Sequence, residues 1–134
     1  MGKITRIHSE AAAPVRAPYT PAVAALGAFV FLSGQGPFTT EGELVDSSFR
    51  DQMLQTLFNV EALVKEAGAT LSDVVRVGVY LRDMKTNFAE MNQIYRDFFP
   101  SPLPARTTIP VDLPRFDIEI DAVVCLDPGS TVFG

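Results

Sequence analysis

The sequence predicts an α+β fold in which two helices cover one face of a mixed β-sheet. Two observations point there. Apolar residues recur at helical spacing over residues 48–67 and again over 87–99. Around these segments lie compact β-rich runs at 28–33, 74–82, 105–111 and 117–126, bounded by glycine and proline. With short extended segments at 4–8 and 19–25, the order is ββ(β)αβαββ, a layout whose helices and strands share one core.

Each element has its own signal. Ala28-Phe29-Val30-Phe31-Leu32-Ser33 lies between Gly27 and Gly34, and Gly36-Pro37 and Glu41-Gly42 mark turns after it. In the first helix Met53, Leu57, Val60 and Val64 form the stripe, which Leu54 and Phe58 are expected to widen. Ser48 is the expected N-cap, and Gly68 stands where a left-handed residue would end the helix. Residues 74–82 alternate Val75, Val77, Val79 and Leu81 with Val74, Arg76, Gly78 and Tyr80, which predicts a sheet apolar on both faces. The second helix carries Phe88, Met91, Tyr95 and Phe98 on one face, with Asn87 and Glu90 as a capping pair and Pro100 beyond its end. Leu113-Pro114 separates the last two strands. The second apolar face would be left partly open in one two-layer domain, and association is the natural way to cover it.

Composition narrows the function classes. The 134 residues suffice for one domain, 1–134 with a core of about 4–126, and 47% apolar residues are enough to build that core. A net charge of −5 with 11 scattered basic residues argues against nucleic acid as a partner. No run approaches a membrane span and no signal peptide is visible, so a cytoplasmic location is expected. One cysteine, Cys125, in an apolar run, reads as a buried, inert thiol. With a single histidine, His8, the chain has no set of nitrogen and sulfur ligands for a metal, and a histidine-dependent nucleophile would have to use a residue near the chain end.

The strongest chemical signal is a spaced pair, Arg106 in Pro104-Ala105-Arg106-Thr107-Thr108 and Glu119 in Ile118-Glu119-Ile120-Asp121. An arginine within an apolar-flanked strand needs an anionic partner. Arg106 therefore lies at a solvated edge, pairs with an internal carboxylate such as Glu119 or Asp121, or holds the carboxylate of a ligand bidentately. Glu119 and Asp121 share one side of their strand while Ile118 and Ile120 face the core. Tyr19, Ser33, Gly34 and Asn92 suit either a ligand site or ordinary turn and surface roles.

Taken together and in order, these residues resemble the RidA/YjgF family. The resemblance is carried by Pro18-Tyr19-Thr20-Pro21-Ala22-Val23, by Leu32-Ser33-Gly34-Gln35, and by Asn59 with Ala67-Gly68-Ala69 and Asp73-Val74-Val75. It continues through Val79-Tyr80-Leu81-Arg82-Asp83, Phe88, Met91-Asn92, Tyr95, Pro104-Ala105-Arg106 and Ile118-Glu119-Ile120. It implies a chorismate-mutase-like (YjgF-type) α+β domain, homotrimeric around a central barrel with sites between subunits. It implies hydrolysis of 2-imino or enamine acids, such as 2-iminobutanoate and 2-iminopropanoate, to 2-oxo acids and ammonia without a cofactor. By the same resemblance Arg106 binds the substrate carboxylate and Glu119 positions the water. Tyr19, Ser33, Gly34 and Asn92 line or support the pocket, and the backbone near Thr108 positions water or the imine nitrogen. Ala17, Pro21, Thr108 and Asp121 depart from the family's usual residues, and residues 110–117 form a shortened loop. The rival readings are a pathway-specific enamine deaminase, a trimer that binds 2-oxo acids without turnover, and an RNA-cleaving protein, which the acidic balance disfavours.

Overall fold

Hydrophobic periodicity translates directly into the elements of the computed structural model, which describes residues 2–134. β1 (Lys3–Ile7) and β2 (Ala22–Leu26) form an antiparallel two-stranded sheet. β3 (Ala28–Gln35), β4 (Val74–Leu81), β5 (Ala105–Pro110) and β6 (Ile118–Leu126) form a four-stranded sheet in the order β3-β6-β4-β5. β6 runs antiparallel to both β3 and β4. β4 and β5 are parallel, which requires a crossover, and α2 (Met84–Phe98) provides it.

α1 (Phe49–Glu66) begins where Ser48 Oγ accepts a hydrogen bond from Asp51 N at 3.0 Å. It ends before Gly68, whose φ of 82° is the left-handed geometry that stops a helix. Met53, Leu57, Val60 and Val64 are fully buried against the sheet, whereas Leu54 and Phe58 are exposed. They do not widen the core stripe, because each lies about 100° around the helix from its buried neighbour. Phe58 instead lies beside Phe38 and Asn59 along the 36–45 loop. Asn59 Nδ2 ties that loop down by donating to the carbonyls of Gly36 and Phe38 at 3.0 and 2.8 Å.

α2 starts at Met84, three residues before the predicted Asn87. Asp83 takes up a left-handed conformation, φ 53°, which turns the chain from β4 straight into the helix. Asn87 therefore lies in the first turn, where its Nδ2 donates to the Arg82 carbonyl at 2.9 Å instead of forming a cap.

The sheet is not apolar on both sides throughout. The β4–β6 register shifts between Val74 and Arg76, so Val74 and Val75 are both buried. Beyond the shift Val77, Val79 and Leu81 face the helices. The opposite face carries Arg76, Gly78 and Tyr80 beside Glu119 and Asp121, with large apolar side chains mainly at Phe29 and Phe31 on β3. Phe31 is 75% exposed. Cys125 is buried, as its apolar run predicts, and burial raises its thiol pKa.

The 111–117 loop is pinned by Arg82 and Gln52. Arg82 Nε pairs with Asp117 at 2.9 Å, and its Nη1 donates to the Leu113 carbonyl at 3.0 Å. Asp117 N donates to the buried Gln52 side chain at 2.8 Å.

Candidate functional site

β5 is an edge strand, and its alternation decides which residues enter the space beneath α2. Arg106 and Thr108 sit opposite Val77 and Val79, both fully buried, so they point to the helix side of the sheet. The Arg106 guanidinium carbon lies 4.9 Å from the Tyr95 ring centroid and 6.0 Å from that of Tyr19. Its Nη1 is 3.9 Å from Met91 Sδ. Tyr19 is brought there because Thr20 N donates to the Pro104 carbonyl at 3.0 Å and its hydroxyl donates to the Leu103 carbonyl. Tyr19 and Arg106 edge a recess of about 450 Å³, lined also by Arg16, Met84, Phe88 and Thr108.

Arg106 has no carboxylate partner among the described residues. Burial lowers its pKa, but a guanidinium remains protonated in protein surroundings. A half-buried cation between two rings, without a carboxylate partner among the described residues, has the chemistry to take up an anion. The alternative of an internal salt bridge is excluded by the register. Glu119 pairs with Tyr80, on the face opposite Val77, so Glu119 and Asp121 stand on the other side of the sheet from Arg106. Asp121 is already engaged, accepting from the Tyr80 hydroxyl at 2.9 Å. That bond is the main reason the Tyr80 pKa is raised.

Glu119 lies against Gly34, whereas Ser33 edges a recess with Leu63 and Ala67 of α1. The β3–β6 register breaks between Leu32 and Gln35, and this irregularity sets Gly34 against the Glu119 carboxylate. A Cβ at Gly34 would collide with Glu119 Oε2, so only glycine leaves the carboxylate its place. Neither side of the sheet holds the complete set: Tyr19, Arg106 and Thr108 gather under α2, and Gly34 and Glu119 lie together away from them. Asn92, on α2, carries a buried Oδ1 with no partner, and so does Thr108 at its Oγ1. Sequence reasoning missed the contribution of Tyr95 and Met91, because both belong to the helical stripe that signals core. His8 is exposed just past β1. Among the described residues no cluster of three metal-capable side chains occurs. Among them, too, no helix is long and apolar enough to cross a membrane.

The model of the family described as endoribonuclease L-PSP matches residues 10–126 of the chain. The chain belongs to that family. Among the family's relatives, a RutC family protein of Pyrococcus abyssi is 39% identical over 120 residues, covering 87% of this chain and 93% of its own. A 2-iminobutanoate/2-iminopropanoate deaminase of Dermatophagoides farinae is 38% identical over 113 residues, covering 82% of this chain and 87% of the relative. The crystal structure of a conserved Rid family protein, YyfB of Yersinia pestis, superimposes with a TM-score of 0.84 at 31% identity, covering 92% of this chain and 98% of that one. The arrangement of two helices on a mixed sheet is therefore the YjgF/Rid fold, as the sequence resemblance implies.

Proposed function

We propose that the chain is a hydrolase of reactive 2-imino or enamine acids, converting them to 2-oxo acids and ammonia. The observation that carries this reading is Arg106, a half-buried guanidinium with no counter-ion in a recess walled by Tyr19, Met84 and Phe88. The family includes the 38%-identical protein named as a 2-iminobutanoate/2-iminopropanoate deaminase. In this reading Arg106 takes the substrate carboxylate through two charge-assisted hydrogen bonds, leaving the C=N carbon at a fixed depth. Tyr19 forms a wall, and Asn92, Ser33 and Gly34 line or support the pocket.

Glu119 holds the water and accepts its proton as the oxygen bonds to the C=N carbon. With the imine nitrogen protonated at the outset, this gives the neutral carbinolamine. Glu119 returns its proton to that nitrogen, then takes the hydroxyl proton as the C=O bond forms and ammonia leaves, and releases it to solvent or ammonia. Backbone groups near Thr108 hold the water or the imine nitrogen. Positioning supplies much of the rate gain, and one acid–base group adds about 10²–10⁴-fold. Since one chain places Arg106 and Glu119 on opposite faces of its sheet, the complete site requires two copies. A homotrimer with its sites between subunits meets that requirement. The setting that suits the single buried thiol is the reducing cytoplasm.

A second reading has one observation in its favour: the Arg106 recess is complete within one chain without Glu119. A protein that only binds 2-oxo acids would need no more than that. The two readings separate in a coupled assay, in which a threonine dehydratase generates 2-iminobutanoate and semicarbazide traps what escapes. The enzyme reading requires wild type to suppress trapping and Arg106→Ala not to. Undiminished trapping by wild type, with 2-oxobutanoate still bound, would leave the binding-only reading.

A further inference from the structure

Tyr95 is fully buried on α2, and it presents its ring to the guanidinium of Arg106 at 4.9 Å. Tyr19 stands farther off, at 6.0 Å, on a loop. The one hydrogen bond of the guanidinium among the described residues goes to Met91 Sδ, a weak acceptor at 3.9 Å. Arg106 is therefore held mainly by the rings, and apart from that weak contact at Nη1 its N–H groups have no partner among the described residues. An arginine stem is long and flexible, and a bidentate grip on a carboxylate demands one orientation of the fork. Something rigid must supply that orientation before the ligand arrives.

We propose that Tyr95 is a positioning residue for the carboxylate clamp, its ring fixing the plane and depth of the Arg106 guanidinium so that the N–H edge meets the incoming carboxylate. This inference rests on the reading of Arg106 as that clamp. Tyr95 is suited to the task because it attracts the cation without neutralising it. A carboxylate in its place would satisfy Arg106 and close the receptor, whereas a ring quadrupole leaves the full positive charge available. Burial raises the phenol pKa far above its ordinary value, so the group stays neutral and never becomes a counter-ion. Among the described residues its hydroxyl has no hydrogen-bond partner, so its side of the contact with Arg106 is the ring alone.

The test measures 2-oxobutanoate binding by calorimetry, together with kcat and KM for imine hydrolysis. Tyr95→Met keeps an apolar filling and removes the ring. It should raise Kd and KM by about 3- to 30-fold, with kcat within about twofold, because uniform binding is what is lost. Tyr95→Phe keeps the ring and should match wild type. Replacing Tyr95 with pentafluorophenylalanine keeps the ring's shape and reverses its quadrupole, and should behave like Tyr95→Met. Val60→Ala, a core truncation on α1, should lower the melting temperature without moving KM. Equal Kd values for the phenylalanine and pentafluorophenylalanine forms would overturn the proposal, as would a rise in KM for Val60→Ala like that of Tyr95→Met. Failure of Arg106→Ala to weaken binding would instead remove the clamp reading itself, and the Tyr95 inference with it. Should Tyr95→Met not fold, the two ring variants still decide the question.

Discussion

At the scale of single residues, the most exacting position is Gly34. Its missing side chain is the space that the Glu119 carboxylate occupies. Gly34→Ala should push Glu119 out of position, since the carboxylate is easier to move than the strand backbone. Displacing a reacting group by about 1 Å costs on the order of 10²-fold in rate, so kcat should fall by about that factor. The melting temperature should fall only modestly. Unchanged kcat would mean that the place of Glu119 does not matter to the chemistry. Part of this arrangement was legible in the sequence. Arg106 stood out because a charged residue in an apolar strand demands a partner, and Glu119 because strand alternation set it apart from Ile118 and Ile120. Tyr95 was not legible, because a residue that packs the core and also braces a cation leaves the same helical stripe as one that only packs. Nor could alternation within each strand reveal that Arg106 and Glu119 stand on opposite faces, which depends on how β4 pairs with both neighbours.

At the scale of elements, the boundaries followed their caps. α1 is framed by Ser48 and Gly68, both readable from local chemistry. Gly68 has open space where a Cβ would go, so the cost of Gly68→Ala is purely conformational. That cost should be about 1 kcal/mol in chemical denaturation. No loss would mean that the end of α1 does not need its left-handed residue. α2 was misplaced by three residues because Asp83 enters the helix through a left-handed conformation without a side-chain cap, a device with no sequence signature. The polar middle of the sheet's second face had a similar cause. The register shift at Val74–Val75 leaves Arg76, Gly78 and Tyr80 beside Glu119 and Asp121, and alternation read along one strand cannot anticipate an inserted residue.

At the scale of the whole molecule, the acidic chain keeps the half-buried Arg106 without a carboxylate partner among the described residues and sets its candidate water-holding carboxylate on the opposite face of the same sheet. Exposed Phe29 and Phe31 lie on that second face. A closed assembly that buries them and brings β6 of one copy to β5 of another would join the two half-sites. Complementation between inactive variants tests this most directly. Arg106→Ala and Glu119→Gln, each alone, should hydrolyse 2-iminobutanoate poorly. Co-expressed in one cell and purified together, they should regain about a quarter of wild-type activity, because random assembly leaves that share of subunit interfaces with both groups intact. Mixed oligomers no more active than the separate variants, beside an active wild type, would contradict a site shared between copies.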